Sequence, residues 1–405
     1  MNIFRRISKH LLGALLCLAL VGIRPAQAFD FTGLQNLVGP RDAVIVSGPD
    51  KRILFSHNAY ALMIPASTLK LLTALTAFHS LGEDYRFQTE FYMDSASNLK
   101  IKGYGDPLLI SEVIADIASL LHDRLRASGH SLSNIIVDPS YFDRAVAIPG
   151  VTDTAEPYDS PNGALCVNFN TVNFKTVNGD YTSAESQTPL LPMTLDRIKK
   201  TGLSRGRITL SHQKDELVLY AGNLFKYFLK QAGFTVTGKV LLGKVESADK
   251  RILLYKSPYP LNQVIAKMMT YSNNFIANQI LLEAGIAQAG PPGTLQKGVT
   301  AARKYAENQL SMDGLQITEG SGISRKNRIT AKNLHEILLK FKPYYKLLKQ
   351  DGTDFYKTGT LKGVSTRVGF IAQDKTTHYA YVLLCNTPDK LATPVKNRLK
   401  EIVSR

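Results

Sequence analysis

Cysteine is nearly absent, with three residues in 405. Cys17 falls in an apolar N-terminal run, which leaves Cys166 and Cys385 in the rest of the chain. Two thiols exclude a disulfide framework; they either form one bridge or stay as two buried thiols. The eight histidines are scattered and lack metal-ligand spacing, so neither a metal nor an organic cofactor is expected. Beyond the N terminus no segment is apolar and long enough to cross a bilayer, which excludes a stable transmembrane anchor. Internal repeats, low-complexity tracts and blocks of like charge are also missing, and with them any sign of a nucleic-acid footprint. Two hydrolase signatures are absent as well. There is no Ser-His-Asp pattern and no Gly-x-Ser-x-Gly elbow, so a serine nucleophile here needs a base other than histidine.

What is present begins with an address. Arg5, Arg6 and Lys9 precede an apolar run from Leu11 to Ile23, and Ala26-Gln27-Ala28 is a small-x-small cleavage site. Residues 1–28 read as a signal peptide and the mature chain starts near Phe29. Leu16 before Cys17 argues against lipid attachment. Export predicts a periplasmic protein. The net charge of +16 falls to +12 without the leader. It is spread along the chain, which suits solubility and attraction to an anionic envelope polymer. The length allows two domains, or one domain with a large insertion.

Ala43–Ser47 and Arg52–Ser56 predict a hairpin around Gly48-Pro49-Asp50. Pro65 suits the first turn of a buried helix running to about Gly82. Phe87–Tyr92, Leu99–Lys102 and Asn134–Asp138 read as strands, and Glu112–Ser128 as a helix. From about Tyr141 to Ser204 helical periodicity is lost, as expected of a β-rich or loop-rich insertion. Arg207–Leu210, Glu216–Tyr220 and Val236–Val245 read as strands, and Leu224–Ala232 as a helix. Leu261–Gln288 and Leu295–Leu310 read as helices, as do Ala331–Phe341 and Val395–Val403. The last strands, Gly363–Ile371 and His378–Cys385, follow Phe355–Thr360.

Three short motifs carry chemistry together. Ser67-Thr68-Leu69-Lys70 opens the buried helix and puts Ser67 and Lys70 on one face. Desolvation and the helix terminus disfavour an ammonium there, so Lys70 suits the base for Ser67. Ser272-Asn273-Asn274 interrupts a helical region, and Lys357-Thr358-Gly359 precedes a hairpin. Ser272 would pass a proton to a leaving amine. Asn274 would bind a peptide bond and hold Lys70. Lys357 would supply fixed positive charge for a substrate carboxylate. Gly359 allows the strand close to a ligand, and the N–H groups of Ser67 and Thr360 would form an oxyanion hole.

This ordered triplet resembles the class C low-molecular-mass penicillin-binding proteins, D-alanyl-D-alanine carboxypeptidase/endopeptidases of Gram-negative periplasm. Further stretches carry the resemblance: Phe55-Ser56-His57-Asn58, Gly105-Asp106-Pro107, the segment from Pro157 to Leu165 with Asn168 and Asn170, and Glu319-Gly320-Ser321-Gly322-Ile323-Ser324-Arg325-Lys326-Asn327. It implies an α/β (α+β) chain: a transpeptidase-like, serine β-lactamase-like domain with an antiparallel sheet flanked by helices, over 29–90 and 246–405. An inserted β-rich domain would occupy 91–245. It also implies a serine D-Ala-D-Ala carboxypeptidase, or endopeptidase, acting on peptidoglycan stem peptides and trapped by β-lactams. Catalytic Ser67, Lys70, Ser272, Asn274 and Lys357, with substrate-binding Thr358, Gly359 and Thr360, match its motifs. Glu319 stands where the family has Asp, and the segment before Lys357 is shorter. A serine β-lactamase or esterase is the second reading; it requires a water-activating base that the sequence does not reveal. A non-catalytic peptidoglycan-binding scaffold is the third.

Overall fold

The computed structural model describes residues 29–126 and 129–404. The expected signal peptide lies outside the described residues. Among those described, no helix is long and apolar enough to cross a membrane.

The larger sheet has six strands, in the order Lys349–Asp351, Asp354–Leu361, Val364–Ala372, His378–Cys385, Asp42–Ser47, Ile53–His57. All its pairs are antiparallel. The N-terminal hairpin therefore closes a sheet whose other strands come from the C terminus. His378–Cys385 and Asp42–Ser47 are buried along their whole length, as continuous apolar strands covered on both faces must be. One face packs on the helices Lys70–Leu81, Leu261–Tyr271, Asn274–Ala289 and Ala331–Phe341. The other is covered by the helix Ala392–Val403. Lys70–Leu81 is buried from Lys70 to Phe78 and ends at Gly82, whose φ is 84°. Its buried leucines, Leu71, Leu72 and Leu75, each contribute about 1.5–3 kcal/mol by burial.

A second sheet of five strands orders Val240–Leu242, Ile135–Asp138, Leu99–Gly103, Gln88–Met93 and Lys250–Lys256. In its outer pair, Gln88–Met93 straddles the expected limit at 91 and Lys250–Lys256 lies beyond the one at 245. Among the described residues, the span between them also holds three α-helices, Ser111–Arg124, Pro192–Thr201 and Lys214–Gln231. The last corrects the reading of Glu216–Tyr220 as a strand. Leu217, Val218, Tyr220, Ala221, Leu224 and Phe225 are buried together, at a spacing that shows helical period only over the longer window. Val236–Val245 is likewise broken, into Thr235–Val236 and Val240–Leu242.

The two units are joined by a polar clamp. Gln279 donates from Nε2 to the carbonyls of Gly105 and Gly163, both at 3.0 Å, and Asn162 Nδ2 donates to Phe275 O at 2.9 Å. The Gly105-Asp106-Pro107 turn and the Pro157–Leu165 segment thus dock on the helix that follows Ser272. Cys166 and Cys385 are buried free thiols; burial pushes each up to about 12.

Candidate active site

Ser67 sits in a 3-10 turn, Ala66–Leu69, that feeds the helix Lys70–Leu81. The tighter turn replaces the expected α-helical start. It still keeps Lys70 Nζ 3.0 Å from Ser67 Oγ. Lys70 is fully buried, and Nζ also donates to Asn274 Oδ1 at 2.8 Å and to Ser321 O at 2.7 Å. Burial first, and the nearby Lys357 second, push its ammonium well below the usual lysine range; Glu319 opposes them. A lysine so disposed suits proton abstraction from a neighbouring hydroxyl.

Ser272 and Asn274 come from a break in the predicted long helix. The first half, Leu261–Tyr271, stops at Ser272, which is left-handed with φ 53°. Asn273 then caps Asn274–Ala289, its side chain accepting from Ile276 N. The break turns Ser272 Oγ toward Lys357 Nζ, which donates to it at 2.7 Å. Lys357 Nζ also donates to Thr358 O at 2.6 Å. Burial, with Lys349 adding to it, brings Lys357 down to about 7. Its charge, expected to be fixed, is therefore conditional at neutral pH.

Lys357-Thr358-Gly359 lies within the strand Asp354–Leu361 rather than ahead of the hairpin. The short segment before it is itself a hairpin, Lys349–Asp351 turning at Gly352 onto the Asp354 strand. At Gly359 a Cβ would lie 2.6 Å from Ser67 N and 2.4 Å from Thr366 Oγ1. Only glycine lets this strand close on the Ser67 backbone. Thr358 is half-buried and Thr360 exposed. Ser67, Lys70, Ser272, Asn274, Lys357 and Gly359 thus converge, with Thr358 and Thr360 on the same strand.

Sequence reasoning noted Glu319 but gave it no role. Its buried carboxylate accepts from Ser321 N at 2.6 Å, Ser321 Oγ at 2.7 Å, Gly322 N at 2.7 Å, Ser324 N at 3.3 Å, Asn327 Nδ2 at 2.6 Å and Asn278 Nδ2 at 3.1 Å. The carboxylate is the hub of the loop that offers Ser321 O to Lys70. The same loop presses Gly322, with φ 85°, against Ala66, where a Cβ would stand 1.9 Å from the Ala66 carbonyl. An acid followed by Gly-Ser-Gly is the only local signal for this; its partners Asn278 and Lys70 are distant in sequence. Among the described residues, no group of three or more His, Cys, Asp or Glu could hold a metal ion.

Comparison with known proteins identifies a family for the chain. The family model described as the D-Ala-D-Ala carboxypeptidase 3 (S13) family matches residues 35–207 and 202–350. A D-alanyl-D-alanine carboxypeptidase from an Actinomadura strain is 27% identical over 346 residues, covering 73% of this chain and 63% of its own length. This chain thus spans less than two thirds of that relative. The D-alanyl-D-alanine carboxypeptidase DacB of Haemophilus influenzae is 24% identical, with 83% of each chain covered. The crystal structure of penicillin binding protein 4 from the same organism aligns with a TM-score of 0.73 at 19% identity, over 93% of this chain and 99% of that one. A β-lactam complex of that protein aligns with a TM-score of 0.65 at 19% identity, over 88% and 92%. The structural likeness shows a shared fold.

Proposed function

This chain belongs to the D-Ala-D-Ala carboxypeptidase 3 (S13) family, and we propose that it is a periplasmic serine D-Ala-D-Ala carboxypeptidase, also acting as an endopeptidase, on peptidoglycan stem peptides. The observation that carries the reading is the buried Lys70 ammonium 3.0 Å from Ser67 Oγ, its affinity for a proton lowered by burial. Unprotonated Lys70 takes the Ser67 proton as Oγ attacks the carbonyl carbon of the penultimate D-Ala. The N–H groups of Ser67 and Thr360 stabilise the oxyanion. Ser272, hydrogen-bonded to Lys357, relays a proton to the leaving nitrogen as the C–N bond breaks. Protonated Lys357 holds the terminal carboxylate. Water then attacks the acyl-Ser67 ester and releases the shortened peptide. A β-lactam acylates the same oxygen, but its leaving nitrogen stays tethered, so the adduct persists.

Support comes from the site geometry and from the names of the relatives. The scaffold reading rested on the short segment before Lys357, and the tight hairpin at Gly352 delivers that lysine without the extra residues. The decisive experiment is intact-mass spectrometry after incubation with penicillin G, together with D-Ala release from a D-Ala-D-Ala pentapeptide. One adduct mapping to Ser67, and loss of adduct and release in Ser67→Ala, are expected. D-Ala release that persists in Ser67→Ala would overturn the mechanism.

A further inference from the structure

One buried hydroxyl bridges the two backbone segments that meet at Ser67. Thr366 lies on the strand Val364–Ala372, opposite Gly359 in the antiparallel register. It is 1% exposed. Its Oγ1 donates to the Pro65 carbonyl at 2.8 Å, with the Gly359 carbonyl as a second acceptor at 3.3 Å. Pro65 caps the turn that carries Ser67, and Gly359 belongs to the strand that carries Lys357. The same Oγ1 stands 2.4 Å from where a Gly359 Cβ would be, so the threonine fills the space that glycine leaves open.

Both acceptors lie on stretches of backbone that set the direction of an N–H group. A trans peptide is planar, with its C=O and N–H pointing opposite ways. The Gly359 carbonyl turns toward Thr366, on the inner side of the ladder, so the Thr360 N–H of the same peptide turns outward. Lys349–Asp351 pairs only with Asp354, Phe355 and Tyr356, so from Lys357 onward that outer edge has no partner strand among the described residues. On the other segment the constraint acts through Ala66, which is left-handed with φ 47°. That region is costly for a non-glycine residue, and such strain persists where the surroundings over-determine it, often beside functional sites. Here Thr366 and Thr68, whose Oγ1 donates at 2.7 Å, both hold the Pro65 carbonyl ahead of Ala66. Gly322 packs against the Ala66 carbonyl behind it. The Ala66–Ser67 peptide, and with it the Ser67 N–H, is thereby fixed in direction.

We propose that Thr366 is a positioning residue for the oxyanion hole: its hydroxyl ties the Ser67 turn to the Lys357 strand and so sets the Ser67 and Thr360 N–H groups at the separation a tetrahedral oxyanion needs. The proposal rests on the acyl-Ser67 reading above and names a side chain that tunes it. Thr366 touches no substrate, and no step is added to the chemistry. Donors aimed at developing charge act on the transition state more than on the bound ground state. Movement of one segment against the other therefore costs rate rather than binding. Thr68 still bonds the Pro65 carbonyl when Thr366 loses its hydroxyl, so the substitution strands no acceptor at the turn.

The test uses Thr366→Val, which keeps the volume and loses the hydroxyl, Thr366→Ala, which loses both, and Thr366→Ser, which keeps the hydroxyl. Acylation by penicillin G gives each protein a limiting rate and a dissociation constant. The infrared band of the ester carbonyl in each acyl-enzyme reports the hydrogen bonds made to that oxygen. Removing one oxyanion donor outright costs about 10²–10³ in rate, so displacing the pair should lower the limiting rate about tenfold or more in Thr366→Val and Thr366→Ala. The dissociation constant should change less than about twofold. The carbonyl band should move to higher frequency in both, and Thr366→Ser should restore rate and band. A band that stays at the wild-type frequency in Thr366→Val and Thr366→Ala overturns the proposal even where the rate falls, because lost packing alone does not change the bonds to that oxygen. So does a Thr366→Ser protein that behaves as Thr366→Ala. Either result leaves the acyl-serine reading standing. A wild type that penicillin does not acylate, and that releases no D-Ala, overturns that reading and the proposal with it.

Discussion

Glu319 shows how far one side chain reaches. It accepts six hydrogen bonds inside the protein and lies near enough to Lys70 to raise its proton affinity. Glu319→Gln removes the charge and turns an amide toward donors that then lose their acceptor. We expect a stability loss of about 2–4 kcal/mol, from one or two unpaired buried groups, read in urea unfolding. With the opposing carboxylate gone, Lys70 loses its proton at lower pH. The acid limb of the pH profile for penicillin acylation should therefore move to lower pH, whereas Glu319→Asp keeps it in place. An unmoved limb would confine Glu319 to a structural role. Lys357 offers a second test. Its folded value near 7 means that the free enzyme loses this charge as pH rises through 7. The kcat/KM for a peptide with a free terminal carboxylate should fall across that range relative to its methyl ester. Parallel profiles for acid and ester would show that Lys357 does not read the carboxylate.

At the scale of the element, the break between Leu261–Tyr271 and Asn274–Ala289 is the feature on which the site depends. A left-handed non-glycine residue there costs about 1–2 kcal/mol, and Ser272 bears it so that its hydroxyl reaches Lys357. Ser272→Gly should thus be more stable than Ser272→Ala by about 1 kcal/mol, while both acylate with penicillin about a hundredfold more slowly than wild type. Equal stability of the two variants in urea would mean that the turn carries no strain. Elements with a local signal were legible from sequence. The Asp42–Ser47 hairpin, the helix ended by Gly82 and the last three strands each show their own period and turn residues. Glu216–Tyr220 was misread because five residues of Glu-Leu-Val-Leu-Tyr alternate well enough for a strand. Only the next two turns, through Leu224 and Phe225, reveal the helix that packs into the second core.

Across the whole molecule, two buried carboxyls sit where the units meet. Burial raises Asp106 to about 6 and Glu283 to about 6. Tyr85 and Tyr141 donate to Glu283 at 2.7 and 3.1 Å, and Leu108 N to Asp106 at 2.8 Å. Their folded values lie above the unfolded ones, so the native state binds more protons between about pH 4 and 6. The stability they contribute is complete below that window and is lost as pH rises through it. In the double variant Asp106→Asn, Glu283→Gln this fall should vanish, so the difference from wild type in unfolding free energy changes with pH between 4 and 6 and is constant above. A difference that stays constant throughout would show that neither carboxyl is held protonated at the junction.

The sequence by itself determined which groups we propose to react. Ser67, Lys70, Ser272, Asn274, Lys357 and Gly359 could be named because each motif is short, and because their order along the chain narrows the chemistry to lysine-assisted acyl transfer. Their spacing also determined that Ser67 and Lys70 share a face, since that is a property of one turn. The tertiary structure alone decided the rest. The lowered proton affinity of Lys70 depends on burial and on Lys357, 287 positions away in the chain. The anchoring of Ser321 O depends on Glu319 and on Asn278 across a helix face. The limits of the second sheet depend on Gln88–Met93 pairing with Lys250–Lys256. Proton affinity and strand pairing are set by what surrounds a residue in space, and local sequence carries no record of those neighbours.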